Sequence, residues 1–217
     1  MHPLISESKA IIFDMDGLLI NSEPYWKIAE KKVFRKLGLT LTDTLLQQVM
    51  GFRLSEVVTH WYQYQPWQNP NFEQTENEIL ECVEILIQEH AEAMPGVYEL
   101  LAFLAAQNIP MALASSSAMS LINMVIDKLA INRYFDVVCS AEIEPYGKPH
   151  PGIFLTAAKK LNAIPSNCLV IEDSINGVIA AKAARMKCVS VPELASASDK
   201  RFAIADLQLA SLENLLW

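Results

Sequence analysis

The chain has 217 residues, enough to bury a full hydrophobic core as one large domain or as a domain with a sizeable insertion. Apolar residues make up 52% and charged residues 19%, which is typical of a compact globular protein and excludes a disordered or fibrous chain. The formal net charge of −8 argues against a nucleic-acid backbone as the main partner. An anionic small substrate remains compatible with this charge, because a bound divalent cation dominates the electrostatics of its own site.

The sequence predicts a cytoplasmic protein. Residues 1–8 lack the pattern of a secretory signal, and no apolar run reaches the length of a membrane span, so we expect no membrane partner. The four cysteines show no CxxC pairing and no zinc-like spacing to histidine, which predicts reduced thiols. The sequence carries no signal of oligomeric state, and a monomer is the working expectation.

Short apolar runs that end in polar residues predict a buried parallel sheet. These runs lie at 10–13, 110–114 and 168–171, and 187–191 is a further strand candidate. Helical periodicity at 96–107, 120–129, 152–161 and 175–185 separates or follows them. This alternation predicts an α/β fold with a Rossmann-like, doubly wound parallel sheet as its core.

A long segment after the first strand has a different pattern. Helical periodicity runs through 25–37, 45–50, 54–62 and 76–91, with no convincing strand. We therefore predict a first core segment at 1–18, an inserted helical cap at 19–92 and the remainder of the core at 93–217. Because the insertion leaves the sheet at a strand end, where ligands bind in such folds, we interpret it as a lid and not as a decorative subdomain.

Chemically reactive side chains cluster near four predicted strand ends. Carboxylates suit magnesium, a metal ion and a lysine can neutralise a transferring phosphoryl group, and a carboxylate beside the metal can attack it in line. A second carboxyl two residues further on can act as general acid and base. The sequence therefore predicts phosphoryl transfer, carried by Asp14 and Asp16, Ser115, Ser116 and Ser117, Lys148, and Glu172 and Asp173.

Each of these patterns is weak alone. An Asp-x-Asp pair is common in turns, and Lys148 before a proline is typical of a solvated loop. Ser116 or Ser117 is suited to cap the helix expected near residue 119. Capping and phosphate binding are compatible, because a strand-to-helix turn presents backbone N–H groups and hydroxyls to an anion.

In combination, four segments resemble the motifs of the haloacid dehalogenase-like hydrolases. They are FDMDG at 13–17, ASSS at 114–117, GKPHP at 147–151 and IEDS at 171–174. The segment NSEP at 21–24 and the length of 175–191 are similar to the beta-phosphoglucomutase-like branch, and within it to bacterial phosphatases of 2-deoxyglucose 6-phosphate and hexitol phosphates. The resemblance implies a phosphatase that depends on Mg²⁺, replaceable by Mn²⁺ or another divalent ion, and acts on small sugar or polyol phosphates.

The resemblance also implies roles for the acidic pair and the lysine. Asp14 would form an aspartyl-phosphate intermediate and bind the metal. Asp16 would be the general acid and base, and its backbone carbonyl would also face the metal. Lys148 would orient Asp14 and neutralise charge.

The remaining motif residues would bind phosphate and metal. Ser115 and the backbone of Ser116 would hold the phosphoryl oxygens. Asp173 would be the third protein ligand of the metal, and the adjacent Glu172 would bind the metal directly or through water.

Two positions of this sequence distinguish it from relatives that catalyse other reactions. Dehalogenases and phosphonate hydrolases resemble the first motif but lack its second aspartate, so Asp16 favours phosphate esters. Beta-phosphoglucomutases typically carry a cap histidine twelve residues after the nucleophile, where this chain has Trp26, so hydrolysis is favoured over the alternative of a mutase. A phospho-receiver signalling module is a more distant alternative, and the order of the motifs and the helical insertion argue against it.

Substrate choice is expected to lie with the cap. Gly51-Phe52-Arg53 resembles the cap loop that meets the substrate, and Arg53 is a candidate for binding sugar hydroxyls, although it is equally suited to a solvated helix start. Glu23, Trp26 and Lys27 are further candidates.

Overall fold

A single parallel sheet organises the computed structural model, which describes residues 2–194 and 196–215, so the outermost ends of the predicted core segments lie outside the described residues. Among these residues, the sheet has six strands: β1 Ala10–Phe13, β2 Met111–Ser115, β3 Val137–Ser140, β4 Cys168–Glu172, β5 Lys187–Ser190 and β6 Leu207–Gln208. They pair in parallel in the order β3-β2-β1-β4-β5-β6. The central strands β1, β2 and β4 are buried along their whole length, which explains why they are apolar except for the last residues of β2 and β4.

Helices cover both faces of this sheet. Ile11 and Phe13 of β1 belong to one hydrophobic cluster and Ile12 to a second, as expected for side chains that alternate across a strand. The first cluster includes residues of α6 and α7, and the second includes residues of α8 and α9. The predicted doubly wound α/β core is therefore confirmed, with α1 at Pro3–Ser6, α6 at Val97–Ala106, α7 at Met119–Lys128, α8 at Gly152–Lys160 and α9 at Ile175–Ala183.

A helical cap is inserted between β1 and β2. Within the described chain, the part of this interval that precedes α6 contains four helices and no strand: α2 Glu23–Lys36, α3 Asp43–Leu46, α4 Leu54–Tyr64 and α5 Phe72–His90. Their apolar faces contribute Phe34, Trp61 and Ile79 to the same hydrophobic cluster that contains Phe13 of the sheet. The exact domain limits at 18/19 and 92/93 stay a prediction.

Some local expectations are wrong for identifiable reasons. The strands β3 and β6 are absent from the sequence prediction, because the first is only partly buried over two of its four residues and the second is a two-residue edge strand. Neither Ser116 nor Ser117 caps α7: its N-cap is Ala118, and the backbone N–H of Met119 donates to a carboxylate oxygen of Glu142 (2.8 Å). A residue distant in sequence thus replaces the local cap.

Short 3₁₀ helices complete the described structure at Asn132–Tyr134, Ala141–Ile143, Pro165–Asn167, Lys200–Ile204 and Leu212–Leu215. All four cysteines are free thiols. None of the described helices is long and apolar enough to cross a membrane.

Replacing Ile12 by alanine tests the central packing. Ile12 is fully buried in β1, so Ile12→Ala should lower the free energy of unfolding by about 2–5 kcal/mol through lost contacts and a residual cavity. Ile164→Ala removes the same atoms from a side chain that is 66% exposed and should change it by less than about 0.5 kcal/mol. The free energy of unfolding of each variant can be measured by urea denaturation. Equal losses of this free energy in the two variants would contradict the assignment of Ile12 to the core.

Candidate active site

The chemically reactive residues meet at the carboxyl edge of the sheet. Because Phe13 lies beside Leu113 of β2 and Ile171 of β4, the residues that follow these three strands are neighbours. Asp14, Ser115 and Asp173 therefore line one cavity. Lys148 reaches the same edge from the loop before α8.

A buried lysine joins two carboxylates beneath this cavity. Lys148 Nζ donates to Asp14 Oδ1 (2.5 Å) and to Glu172 Oε1 (2.6 Å), and all three side chains are buried. Burial raises the pKa of Asp14 to about 8 in spite of the lysine, and the charges of Glu172 and Asp16 add to the increase. Burial alone would lower the pKa of Lys148, but the two carboxylates outweigh it and keep the lysine charged. The structure thus brings the predicted Asp14 and Lys148 into direct contact.

Both carboxyl oxygens of Glu172 accept hydrogen bonds from the protein. Its Oε1 accepts from Lys148, and its Oε2 accepts from the backbone N–H (2.7 Å) and the hydroxyl (3.0 Å) of Ser174. These contacts show a residue that positions the lysine. The direct or water-mediated metal contact predicted for Glu172 stays a prediction.

Asp173 completes an acidic cluster that fits a cation. Oxygen atoms of Asp14, Glu172 and Asp173 lie within 4.8 Å of one another, and all three residues are buried. In the part of the chain described, the buried Oδ2 of Asp173 has no hydrogen-bond partner. Burial, reinforced by the charges of Glu172 and Asp14, raises the pKa of Asp173 well above its usual range. One lysine does not balance three carboxylates, so the donor set suits a hard divalent cation.

Asp16 is shared between the sheet and the cap. Its Oδ1 accepts from Ser22 Oγ (2.7 Å) and from the indole N–H of Trp26 (2.9 Å). Its Oδ2 accepts from Ser117 Oγ (2.7 Å), with Ser115 Oγ at 3.4 Å. The hydrogen bonds of Ser22 and Ser117 to Asp16 could not be inferred from the sequence, because only the fold brings these side chains together.

Ser115 and Ser116 both line the cavity, as predicted for residues that would hold a phosphoryl group. The hydroxyl of Ser116 donates to the backbone carbonyl of Gly51 in the cap (2.8 Å). The hydroxyl of Ser116 is therefore engaged in a contact with the cap. This contact is compatible with the predicted role of Ser116, because that role uses its backbone N–H.

One face of α2 forms the cap side of the cavity. Glu23, Trp26 and Lys27, the predicted substrate candidates, all line it, and so does Glu30. Each glutamate lies three and four positions from Trp26 and Lys27, which places the four residues on one face of the helix. The same spacing could have identified Glu30 from the sequence. The ammonium of Lys27 is paired with Glu193 of the core (2.9 Å). Apolar cap residues also line the cavity: Leu46, Val49, Met50, Phe52, Leu54, Val57 and Leu80.

Arg53 does not face this cavity. Its guanidinium donates to the backbone carbonyls of Glu144 (2.7 Å) and Ala141 (3.2 Å) and pairs with Glu56 (2.8 Å). Glu56 in turn accepts from the backbone N–H of Gly147 (2.9 Å). The two terminal nitrogens of the guanidinium thus form a link between the start of α4 and the loop that carries Lys148, whereas Nε has no hydrogen-bond partner among the described residues. The expected contact of Arg53 with sugar hydroxyls stays a prediction.

Comparison with known proteins supports this description. A hexitol phosphatase B of Escherichia coli K12 is 40% identical over 95% of this chain and 93% of its own length. A probable pseudouridine-5'-phosphatase of Drosophila melanogaster is 35% identical over 94% of this chain and 89% of its own. A crystal structure of beta-phosphoglucomutase from Clostridium difficile superposes with a TM-score of 0.85 at 27% identity, covering 96% of this chain and 93% of that one.

A doubly wound sheet with an acidic cavity at its carboxyl edge, covered by a helical cap, places the chain among the capped Rossmann-like proteins. The family model for haloacid dehalogenase-like hydrolases matches residues 11–191, and the chain belongs to that family. With its phosphatase relatives, this makes the chain a phosphoric monoester hydrolase. The resemblance inferred from the four motifs is confirmed.

Gly17 tests the close packing of the acidic cluster. Gly17 has φ +74°, and an added Cβ would lie 2.2 Å from Asp173 Oδ2. Gly17→Ala should therefore displace the Asp173 carboxylate and lower kcat for p-nitrophenyl phosphate at least tenfold, about 1.4 kcal/mol in barrier height. Gly38 has φ +88° with nothing within 4 Å, so Gly38→Ala should cost about 1–2 kcal/mol of stability and leave kcat unchanged. Comparable kcat losses in the two variants would contradict the steric explanation.

Arg53→Ala tests the link between cap and core. Loss of the guanidinium removes one hydrogen-bond donor from each of three acceptors, the carbonyls of Ala141 and Glu144 and the carboxylate of Glu56, and so weakens the link to the loop that carries Lys148. We expect kcat/KM for p-nitrophenyl phosphate to fall roughly tenfold, or about 1.4 kcal/mol. The exposed Arg35→Ala on α2 is the matched control. Unchanged hydrolysis of this aryl phosphate would instead fit a residue that contacts only the sugar part of a substrate.

Proposed function

We propose that this protein is a Mg²⁺-dependent phosphatase of small sugar or polyol phosphates and that it works through an aspartyl-phosphate intermediate. The observation that carries the proposal is the placement of two different carboxylates in one cavity. Asp14 is fixed by a buried lysine, and Asp16 is held by neutral donors from both sheet and cap. One carboxylate is thus arranged as a nucleophile, the other for proton transfer.

In the first step, a carboxylate oxygen of Asp14 attacks phosphorus. The new Asp14–phosphorus bond forms as the bond to the ester oxygen breaks. Asp16, protonated beforehand, gives its proton to the departing oxygen, which leaves as a neutral alcohol. Lys148 holds Asp14 in the orientation required for in-line attack.

In the second step, water attacks the phosphorus of the aspartyl phosphate. Asp16, now a carboxylate, takes a proton from this water, and the Asp14–phosphorus bond breaks. Inorganic phosphate leaves, Asp14 is restored, and Asp16 is protonated again. A phosphatase needs only to admit water at this stage, whereas a mutase must exclude it until the sugar reorients.

Asp14, Asp173 and the backbone carbonyl of Asp16 would hold the divalent cation. The unpartnered oxygen of Asp173 and the excess of buried carboxylates support this assignment. When bound, Mg²⁺, or Mn²⁺ in its place, supplies positive charge that offsets the negative charge on the phosphoryl oxygens. Ser115 and the backbone of Ser116 would hold those oxygens at the start of α7.

The relatives support a phosphorylated alcohol as the substrate. One is a hexitol phosphatase and another a probable pseudouridine-5'-phosphatase, and each ester joins phosphate to a polyhydroxylated group. Polar residues on the cap side of the cavity, including Glu23 and Gln47, are available for such hydroxyls.

Replacing Asp14 by asparagine should abolish turnover, because an amide is a poor nucleophile. Phosphate release by Asp14→Asn and by the exposed control Asp127→Asn should be measured in the presence of Mg²⁺. The substrates are a panel of hexose, deoxyhexose, hexitol, nucleoside and glycerol phosphates. Phosphate release should fall by at least 10³-fold in the first variant, about 4 kcal/mol, and stay unchanged in the second. EDTA should stop the wild-type reaction, and excess Mg²⁺ should restore it.

Steady turnover by Asp14→Asn, or in the presence of EDTA, would contradict the mechanism. A parallel assay with beta-glucose 1-phosphate distinguishes the mutase alternative. Glucose 6-phosphate accumulating faster than phosphate would identify a mutase.

A further inference from the structure

One buried acid on the cavity wall, Glu30, lies about two helical turns along α2 from Glu23. Glu30 is on α2, seven residues after Glu23, and both line the cavity. Glu23 is close to the acidic cluster, since its Cγ is 3.2 Å from the position of a Cβ on Gly17, itself packed against Asp173. Seven helical residues extend about 10 Å, comparable to a phosphorylated six-carbon chain. Glu30 is thus placed to meet the far end of a substrate whose phosphate is at Asp14.

Glu30 is incompletely hydrogen-bonded within the protein. It is only 8% exposed, and its enclosed Oε2 lies toward the indole of Trp61 with no hydrogen-bond partner among the described residues. The other oxygen, Oε1, is therefore the one that a ligand in the cavity can reach. Burial raises its pKa to about 8, an increase that the nearby indole of Trp61 only partly opposes. A buried carboxyl that lacks a partner costs free energy, so its presence on a cavity wall indicates a partner that arrives with the ligand.

The charges around Glu30 restrict what that partner can be. The cavity is lined by the acids Asp14, Asp16, Glu23, Glu30 and Asp173. Lys27, a cation on the same wall, is already paired with Glu193. A second phosphate at this end would be placed beside carboxyl groups without a free cation among the described lining residues, whereas a hydroxyl can both donate to and accept from Glu30.

We propose that Glu30 is a specificity-determining residue that hydrogen-bonds a hydroxyl at the end of the substrate opposite the phosphate. It selects monophosphates with an uncharged polyhydroxylated tail over bisphosphates. This inference rests on the proposed phosphatase function and names the part of the substrate that the cap recognises.

The test compares Glu30→Leu and Glu30→Gln with wild type on glucitol 6-phosphate and p-nitrophenyl phosphate, which lacks the distal hydroxyls. Glu30→Leu should lower the ratio of kcat/KM for glucitol 6-phosphate to that for the aryl phosphate at least tenfold, mainly through KM. Glu30→Gln keeps a donor and an acceptor and should recover most of this ratio. Glu81→Gln, an exposed change on α5, should leave the ratio unchanged. Wild type should hydrolyse fructose 1,6-bisphosphate at least tenfold less efficiently than glucitol 6-phosphate.

The possible failures are distinguishable. Parallel losses on both monophosphates, or a ratio that Glu30→Leu does not change, would overturn the role of Glu30 while leaving the phosphatase function intact. Equal efficiency on the bisphosphate would overturn the selection against a second charge. No hydrolysis of any phosphate by wild type would overturn the proposed function, and this inference with it.

Discussion

The ion pairs of Lys148 with Asp14 and Glu172 are the constraint on which the rest of the site depends. A lysine is buried at such a site only if carboxylates replace its hydration, and each carboxylate must then be held in turn. Ser174 holds Glu172 through two hydrogen bonds, and Gly177 leaves the space that this carboxylate occupies, since a Cβ there would lie 1.6 Å from Oε1. The start of α9 is therefore shaped around the acid that orients the lysine.

The cap is joined to this centre by polar contacts of two kinds. Some lie at its edge, where Arg53 and Glu56 hold the loop that leads to Lys148. Others lie inside the cavity, where Ser22 and Trp26 of the cap segment share Asp16 with Ser117 of the core. The cap thus encloses the substrate and also fixes the orientation of the residue proposed to move protons.

The sequence predicted those features that depend on local pattern. The strands β1, β2 and β4 are apolar runs, and the motif residues lie at or directly after their carboxyl ends, so both fold and cluster could be inferred. Features that depend on contacts between distant segments could not. The contacts between the Arg53 guanidinium and the backbone carbonyls of 141–145 join segments about 90 residues apart, and no local pattern indicates them. Glu30 carries no motif, and its significance comes from its burial on the wall of the cavity.

The hydrogen bond from Trp26 to Asp16 has one more consequence. An indole N–H only donates and does not titrate, whereas an imidazole at the same place changes its protonation near neutral pH. With tryptophan, the group that donates to Asp16 from the cap is neutral and keeps its proton in acid and in alkali. The cap side of this contact therefore has no charge that a change of pH could add or remove.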